Sequence, residues 1–175
     1  MPVGPRLMPF TQHFVELRKR FTIIIVSILV LMFVFYTDTM YKSILGFILA
    51  PVLEYVPGGK LTVMGPFEAL TFRFKVALFA AIVAASPIII YNILAFMMPA
   101  FKKKERRWLY PTAAAGVGLF VGGAAFAYYV IMGPAFQWLS AQGGGVVNAI
   151  AAANQYLTGI GMMIIGFGLG FELPL

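Results

Sequence analysis

The sequence predicts an all-α, polytopic bundle of membrane-spanning helices, and three observations carry that prediction. Only 11% of its residues are charged while 61% are hydrophobic; soluble domains carry about 25% charged residues. Four apolar stretches, at residues 21–37, 76–98, 109–132 and 150–175, have helical length. A hydrocarbon core about 30 Å thick needs about 20 such residues per helix, and barrel strands would be shorter and alternating. Third, the bases are unevenly placed. Nine of the thirteen Lys and Arg lie before the first stretch (Arg6, Arg18, Lys19, Arg20) or between the second and third (Lys102, Lys103, Lys104, Arg106, Arg107). Residues 133–149 carry no charge. The positive-inside rule then makes the N-terminus and the 99–108 loop cytoplasmic.

The same distribution turns the net charge of +7 into orientation information and argues against a nucleic-acid partner. With no cysteine, disulfides and thiolate metal sites are excluded. His13 is the single histidine, and no His/carboxylate cluster has metal spacing. No glycine-rich phosphate loop follows a strand, and no serine has an evident base. Neither an enzyme nor a cofactor is expected. A cleaved leader is not expected either: the first apolar run is too long for an h-region and no small-residue cleavage pattern follows it.

Along the chain, residues 1–9 hold three prolines and a glycine and read as a mobile arm. Thr11 is a plausible N-cap for a helix starting near Gln12 and running into the first span. Asp38 and Thr39 mark its exit. Residues 39–72 are too long for a turn and read as an ordered outer cap. Within it, 41–55 suits short interfacial helices broken at Pro51, Pro57-Gly58-Gly59 is a turn, and Gly65-Pro66-Phe67-Glu68 starts a second helix. The second span carries Pro87 near its middle, where a bend is predicted; Pro99 ends its cytoplasmic extension. The third begins near Trp108, with Pro111 in its first turn and Trp108 and Tyr110 at the aromatic belt. Gly118-x-x-x-Gly122 and Gly166-x-x-x-Gly170 predict close helix approach, within the chain or at a dimer face. Gly143-Gly144-Gly145 is an outer turn. The chain stops at Leu175 with nothing polar to close the fourth helix, which reads as a truncation.

Three carboxylates stand out. Glu16 lies one turn before Arg20, an i,i+4 pair worth a few tenths of a kcal/mol on its own. Glu105 precedes the third helix, whose N-terminus favours an acid. The predicted topology puts both at one cytoplasmic surface, where two carboxylates rimmed by bases could accept guanidinium forks. Glu172 sits in a glycine-rich apolar helix; an intramembrane carboxylate costs on the order of 3 kcal/mol and normally faces a cavity or a polar partner.

These residues carry a resemblance. His13-x-x-Glu16-Leu17-Arg18-x-Arg20 resembles the N-terminal motif of the twin-arginine translocase subunit TatC. So, in order, do Pro51 and Pro57; Pro87, Tyr91, Phe96 and Pro99; Glu105-Arg106-Arg107; Phe126-Ala127-Tyr128; and Phe167-Gly168 with Phe171-Glu172-x-Pro174. The resemblance covers essentially everything beyond Pro9. It implies six spans, of which four are present and the fourth is cut short. It implies a receptor for the twin-arginine signal peptides of folded cargo, working in the bacterial plasma membrane (or a thylakoid or mitochondrial inner membrane) with the single-span partners TatA and TatB. Transport would draw on the proton-motive force, and a homo-oligomer is compatible. By position, Glu16 and Glu105 would bind the signal arginines, with His13, Arg18, Arg20 and Asn92 shaping the site; Asn92 stands where the family commonly has Gln. Glu172, with Phe171 and Tyr128, would meet a partner helix, while Pro51, Pro57, Pro87 and Pro99 would be structural. Two other readings remain: a fragment of a small-solute secondary transporter using Pro87 and Glu172 as a midplane relay, and a purely structural membrane subunit. The absence of an internal repeat weakens the first.

Overall fold

The computed structural model describes residues 10–56, 61–63, 65–97, 106–142 and 152–174. Pro57, Pro99 and Glu105 lie outside them. Six α-helices follow in order: α1 (Phe10–Phe35), α2 (Asp38–Leu49), α3 (Pro66–Met97), α4 (Leu109–Phe126), α5 (Met132–Ala141) and α6 (Ala153–Glu172). Short 3-10 turns occupy Leu53–Tyr55 and Arg106–Trp108, and a π-turn at Ala127–Ile131 joins α4 to α5. Among the described residues no strand forms; one bridge links Thr62 to Ala152.

Ring contacts and hydrogen bonds fix the helix directions. The His13 ring stacks on Phe96 at 4.5 Å, whereas Tyr36, past the far end of α1, meets Arg73 near the start of α3, so these helices are antiparallel. α4–α5 and α6 are antiparallel too: Phe136 stacks on Tyr156 and Phe126 packs at a tilt against Phe167. α3 and α6 run the same way, because Asn154 donates to the Glu68 carbonyl and Lys75 Nζ to Thr158 Oγ1. One end of the bundle therefore gathers the start of α1, the end of α3 and the start of α4, while α6 ends partway along, against Phe120, Gly123 and Phe126 of α4. The other, the cap end, gathers α2, the Leu53–Tyr55 turn and α5. The α1 N-terminus and the chain entering α4 share one end, as predicted.

α1 stops where Thr37 takes an extended conformation and its hydroxyl bonds back to the Val34 carbonyl at 2.8 Å. α2 then leaves at 95° to α1, with Asp38 in its first turn, where an acid suits the helix N-terminus. The interfacial helix thus begins a turn earlier than the 41–55 reading, and Pro51 follows its end as expected. α3 opens on Pro66, where the missing N–H is harmless, and runs 32 residues unbroken through Pro87. Thr11 lies within α1 rather than at its cap, and the third apolar helix continues nine residues past the predicted 132, to Ala141.

By length and apolarity, α3 and the Leu109–Ala141 helix can each cross a membrane, and the bent α1–α2 pair makes a third if it counts as one span. α6 has 20 residues, but Asn154, Gln155 and Glu172 dilute its apolarity. The outward faces carry large side chains in the open, among them Phe33 at 78% and Phe67 at 84% exposure, as hydrocarbon contact requires and water would not favour.

The core lies toward the cap end. Val52, Val76, Met132, Leu157 and Ile160 are completely buried there. Helix approach depends on glycines, though not those of the two predicted small-residue motifs. A Cβ at Gly118, Gly122, Gly166 or Gly170 would meet nothing within 4 Å. At Gly123 it would lie 2.5 Å from the Phe167 carbonyl oxygen, at Gly161 2.6 Å from the Phe79 ring and at Gly168 2.7 Å from the Phe120 ring. The intramolecular seam uses Gly123, Gly161 and Gly168, and the predicted packing through the other four is corrected.

Candidate functional site

On α1, His13, Glu16 and Arg20 follow at i, i+3 and i+7, so they share one helix face. All three are half-buried, while Arg18 and Lys19 between them are exposed. The His13–Phe96 stack turns this face toward the end of α3. Arg20 donates through Nε at 3.2 Å and Nη2 at 2.9 Å, and both bonds end on Glu16 Oε1. Glu16 Oε2 has no described donor. With side chains about a quarter exposed, the pair is local, and a few tenths of a kcal/mol measures what it adds to the helix.

Asn92 lies at the same end of α3, 5% exposed. Its side-chain amide donates to the Ile88 carbonyl at 2.8 Å, within its own helix. Asn92 is therefore a buried backbone tie, and no described contact links it to Glu16. Tyr91 stacks on Tyr110 at 6.1 Å, and Arg107 lies over the Trp108 ring at 5.8 Å, which places these basic and aromatic residues where α4 enters. The juxtaposition of Glu105 with Glu16 falls outside the described residues.

Glu172 ends α6. Its Oε1 is buried and has no hydrogen-bond partner among the described residues. The neighbouring Phe171 ring packs 5.7 Å from Phe126. Tyr128 does not join them. Its hydroxyl donates to the Phe47 carbonyl and its ring stacks on Phe47 at 4.6 Å, tying the π-turn to α2 at the cap end. Phe126 and Tyr128, two residues apart, project about 200° apart around a helix and so reach different helices.

Sequence reasoning missed a clasp around Arg73. Its Nη2 donates at 2.6 Å both to the Tyr36 carbonyl and to Asp38 Oδ1. The guanidinium also lies 4.6 Å from the Tyr36 ring centre and 5.0 Å from that of Tyr41. One cation thus fastens the α1–α2 bend to α3. The only sequence hint was an arginine among aromatics at a span boundary, and its partners lie 35 and 37 residues away. Lys75, Thr158 and Asn154 form a second unforeseen polar tie, between α3 and α6. No group of three or more potential metal ligands exists among the described residues.

Among the described residues, Glu16, near the start of α1, and Glu172, beside an aromatic wall, each keep a carboxylate oxygen with no described donor. This arrangement suits binding of cationic or hydrogen-bond-donating groups. Comparison with known proteins agrees with a transport component. The family "Sec-independent protein translocase protein (TatC)" matches residues 12–175. An uncharacterised TatC-like protein of Pyropia yezoensis is 30% identical over 96% of this chain and 64% of its own length. The TatC protein of Helicobacter pylori is 33% identical over 93% of this chain and 61% of its own length. The chain thus spans less than two thirds of either relative. A crystal structure titled as the twin-arginine translocase receptor TatC superposes with a TM-score of 0.81 at 27% identity, covering 93% of this chain and 71% of that one. With the ordered motifs and the shared helix bundle, these matches establish that the chain belongs to the TatC family of membrane-embedded protein translocase subunits.

Proposed function

We propose that this chain is the signal-peptide receptor and scaffold part of a twin-arginine translocase, binding Arg-Arg signal peptides at the cytoplasmic face for export of folded proteins driven by the proton-motive force. The observation that carries the reading is Glu16, half-buried beside α3 and already holding a guanidinium at 2.9 Å through one oxygen. Arg20 fixes the carboxylate's orientation and leaves Oε2 to accept from an incoming arginine; an ionised carboxylate offers about four acceptor sites. Glu105 takes the second signal arginine. The exposed Arg18 and Lys19 at the rim repel stray cations, so only a paired, planar donor competes well. His13 holds the α1 face against Phe96, and Asn92 keeps the end of α3 rigid beneath it.

TatA and TatB, single-span subunits, are the partners in this reading. Glu172, with its unsatisfied oxygen, receives a polar group from a partner helix, and Phe171 packs against that helix. The bacterial plasma membrane is the proposed location, with residues 1–20 and 99–108 on the cytoplasmic side.

Site-specific photocrosslinking of membranes carrying Glu16→Gln, Glu105→Gln and the double variant to an Arg-Arg signal peptide tests the reading. Each single change is expected to cut the adduct at least tenfold, since each removes a charge-assisted bond worth about 1.5–3 kcal/mol. A Lys-Lys peptide is expected to crosslink poorly to wild type, because an ammonium lacks the planar fork. Undiminished adduct in the double variant removes both glutamates from recognition.

A further inference from the structure

The helix made of α4, the π-turn and α5 keeps α6 as its partner on both sides of the turn. Before it, a Cβ at Gly168 would lie 2.7 Å from the Phe120 ring and one at Gly123 2.5 Å from the Phe167 carbonyl oxygen. Past it, Phe136 stacks on Tyr156 at 5.5 Å. A regular α-helix does not hold both contacts. Its residues turn by about 100° each, so the buried line of Gly116, Phe120, Gly123 and Ala127 would run on through Ile131, Pro134 and Trp138. Instead Met132 and Phe136 are buried, and Trp138 is 63% exposed. The buried line has slipped by one residue. The slip falls at Ala127–Ile131, where the Met132 N–H bonds the Ala127 carbonyl, five residues back. A bond one residue longer than the α-helical one takes up one extra residue in a turn.

Two causes compete for that turn. Pro134 has no N–H to give Val130, and its ring presses on that carbonyl in a regular helix. Yet α3 runs through Pro87 as unbroken α-helix, so a proline alone does not produce a π-turn in this fold. The contact with α6 supplies the missing cause, because in the α register Phe136 would turn away from Tyr156 and Trp138 would take its place. We propose that the π-turn is a register joint, one stored residue selected by contact with α6, which seats α5 against the cap. α5 thus has two registers, one residue apart, and burial of Met132 and Phe136 chooses between them. Tyr128, inside the turn, secures that choice through its hydroxyl bond to the Phe47 carbonyl on α2. The joint is a conformational device of the cap end and does not rest on the signal-peptide reading.

Disulfide formation between Phe136→Cys and Tyr156→Cys in the whole chain, reconstituted in bilayers, reads the register, since the chain has no cysteine of its own. Deleting Val130, a residue of the turn exposed at 51%, removes the stored residue and should leave the disulfide yield within about twofold. Inserting one alanine after Val130 adds a residue that the turn has no room for; it swings α5 by about 100° and should lower the yield about tenfold. Pro134→Ala should leave the yield unchanged. Equal loss in the deletion and the insertion, equal retention in both, or loss in Pro134→Ala overturns the proposal. So does a Val130 deletion that no longer folds. Should the cysteine pair itself prevent folding, Trp108→Phe leaves Trp138 as the single tryptophan. Its quenching by acrylamide and brominated phospholipid should then match with and without Pro134→Ala, and a marked drop in that variant would show the proline, not α6, holding the turn.

Discussion

The two ends of the bundle each hold an arginine–carboxylate pair, and the two pairs do different work. Arg20 and Glu16 are one turn apart on a single helix. Arg73 and Asp38 are 35 residues apart, and the same guanidinium also bonds the Tyr36 carbonyl and lies over two tyrosine rings. The first pair joins nothing that the helix had not joined already. The second links three elements. Sequence separation, more than the bond length, therefore separates a pair local to one helix from a fastening between elements. The rest of each end agrees: the cap end encloses fully buried Val52, Met132 and Leu157, while the other end presents a half-buried carboxylate among exposed bases.

The largest expected effect comes from emptying the cap core. Leu157→Ala should cost about 2–5 kcal/mol, because a fully buried leucine leaves a cavity behind. Phe14→Ala, at 63% exposure on α1, should change stability far less. Denaturant unfolding in detergent reads both, and similar losses would mean that the two ends are equally packed. Next comes the clasp. Arg73→Ala should cost about 2 kcal/mol through the lost carbonyl bond and ring contacts. The salt bridge itself adds little, since Asp38 is 77% exposed; Asp38→Asn should therefore be nearly silent. Limited proteolysis between Tyr36 and Tyr41 should accelerate in Arg73→Ala alone.

A third pair of variants sharpens the packing. Gly123→Ala must displace the Phe167 backbone, from which a Cβ would stand 2.5 Å, and should cost about 1–3 kcal/mol. Gly122→Ala meets open space and should be neutral or slightly stabilising, since alanine is the better helix former. A loss at Gly122 equal to that at Gly123 would show that a partner helix covers that side.

The glycines also show where the sequence stopped being informative. Apolar length revealed the long helices and Gly65-Pro66 a helix start, because both signals are local, although that start was assigned to the outer cap, whereas it opens a helix continuous with the second span. A four-residue spacing of glycines, by contrast, says that a helix has a narrow face without saying that a neighbour lies against it. The motif search found Gly118 and Gly122, while the contact falls at Gly123, one residue and about 100° around the helix. The same limit hid the Arg73 clasp and the turn of Tyr128 toward Phe47, which depend on which helices pair. At the proposed receptor end, the i,i+4 relation of Glu16 and Arg20 was readable from spacing alone. That His13 would stack on Phe96, and so aim Glu16 along α3, required the antiparallel pairing of α1 with α3. Asn92 was grouped with the glutamates by position in the motif, yet its amide is committed to Ile88.

The smallest effect is the most discriminating. Arg20→Ala removes both bonds to Glu16 Oε1 and should change unfolding free energy by less than about 0.5 kcal/mol. If Arg20 serves to hold the carboxylate in place, an Arg-Arg peptide should then bind about two- to threefold more weakly, the loss that one freed side-chain rotor produces. If Arg20 instead competes for the carboxylate, binding should tighten by a similar factor. Titration of a fluorescent signal peptide against Arg20→Ala and Glu16→Gln separates the cases. The holding role requires a slight weakening in the first and near-complete loss in the second. Tightening in Arg20→Ala would recast the pair as an internal mimic of the signal, displaced when cargo arrives.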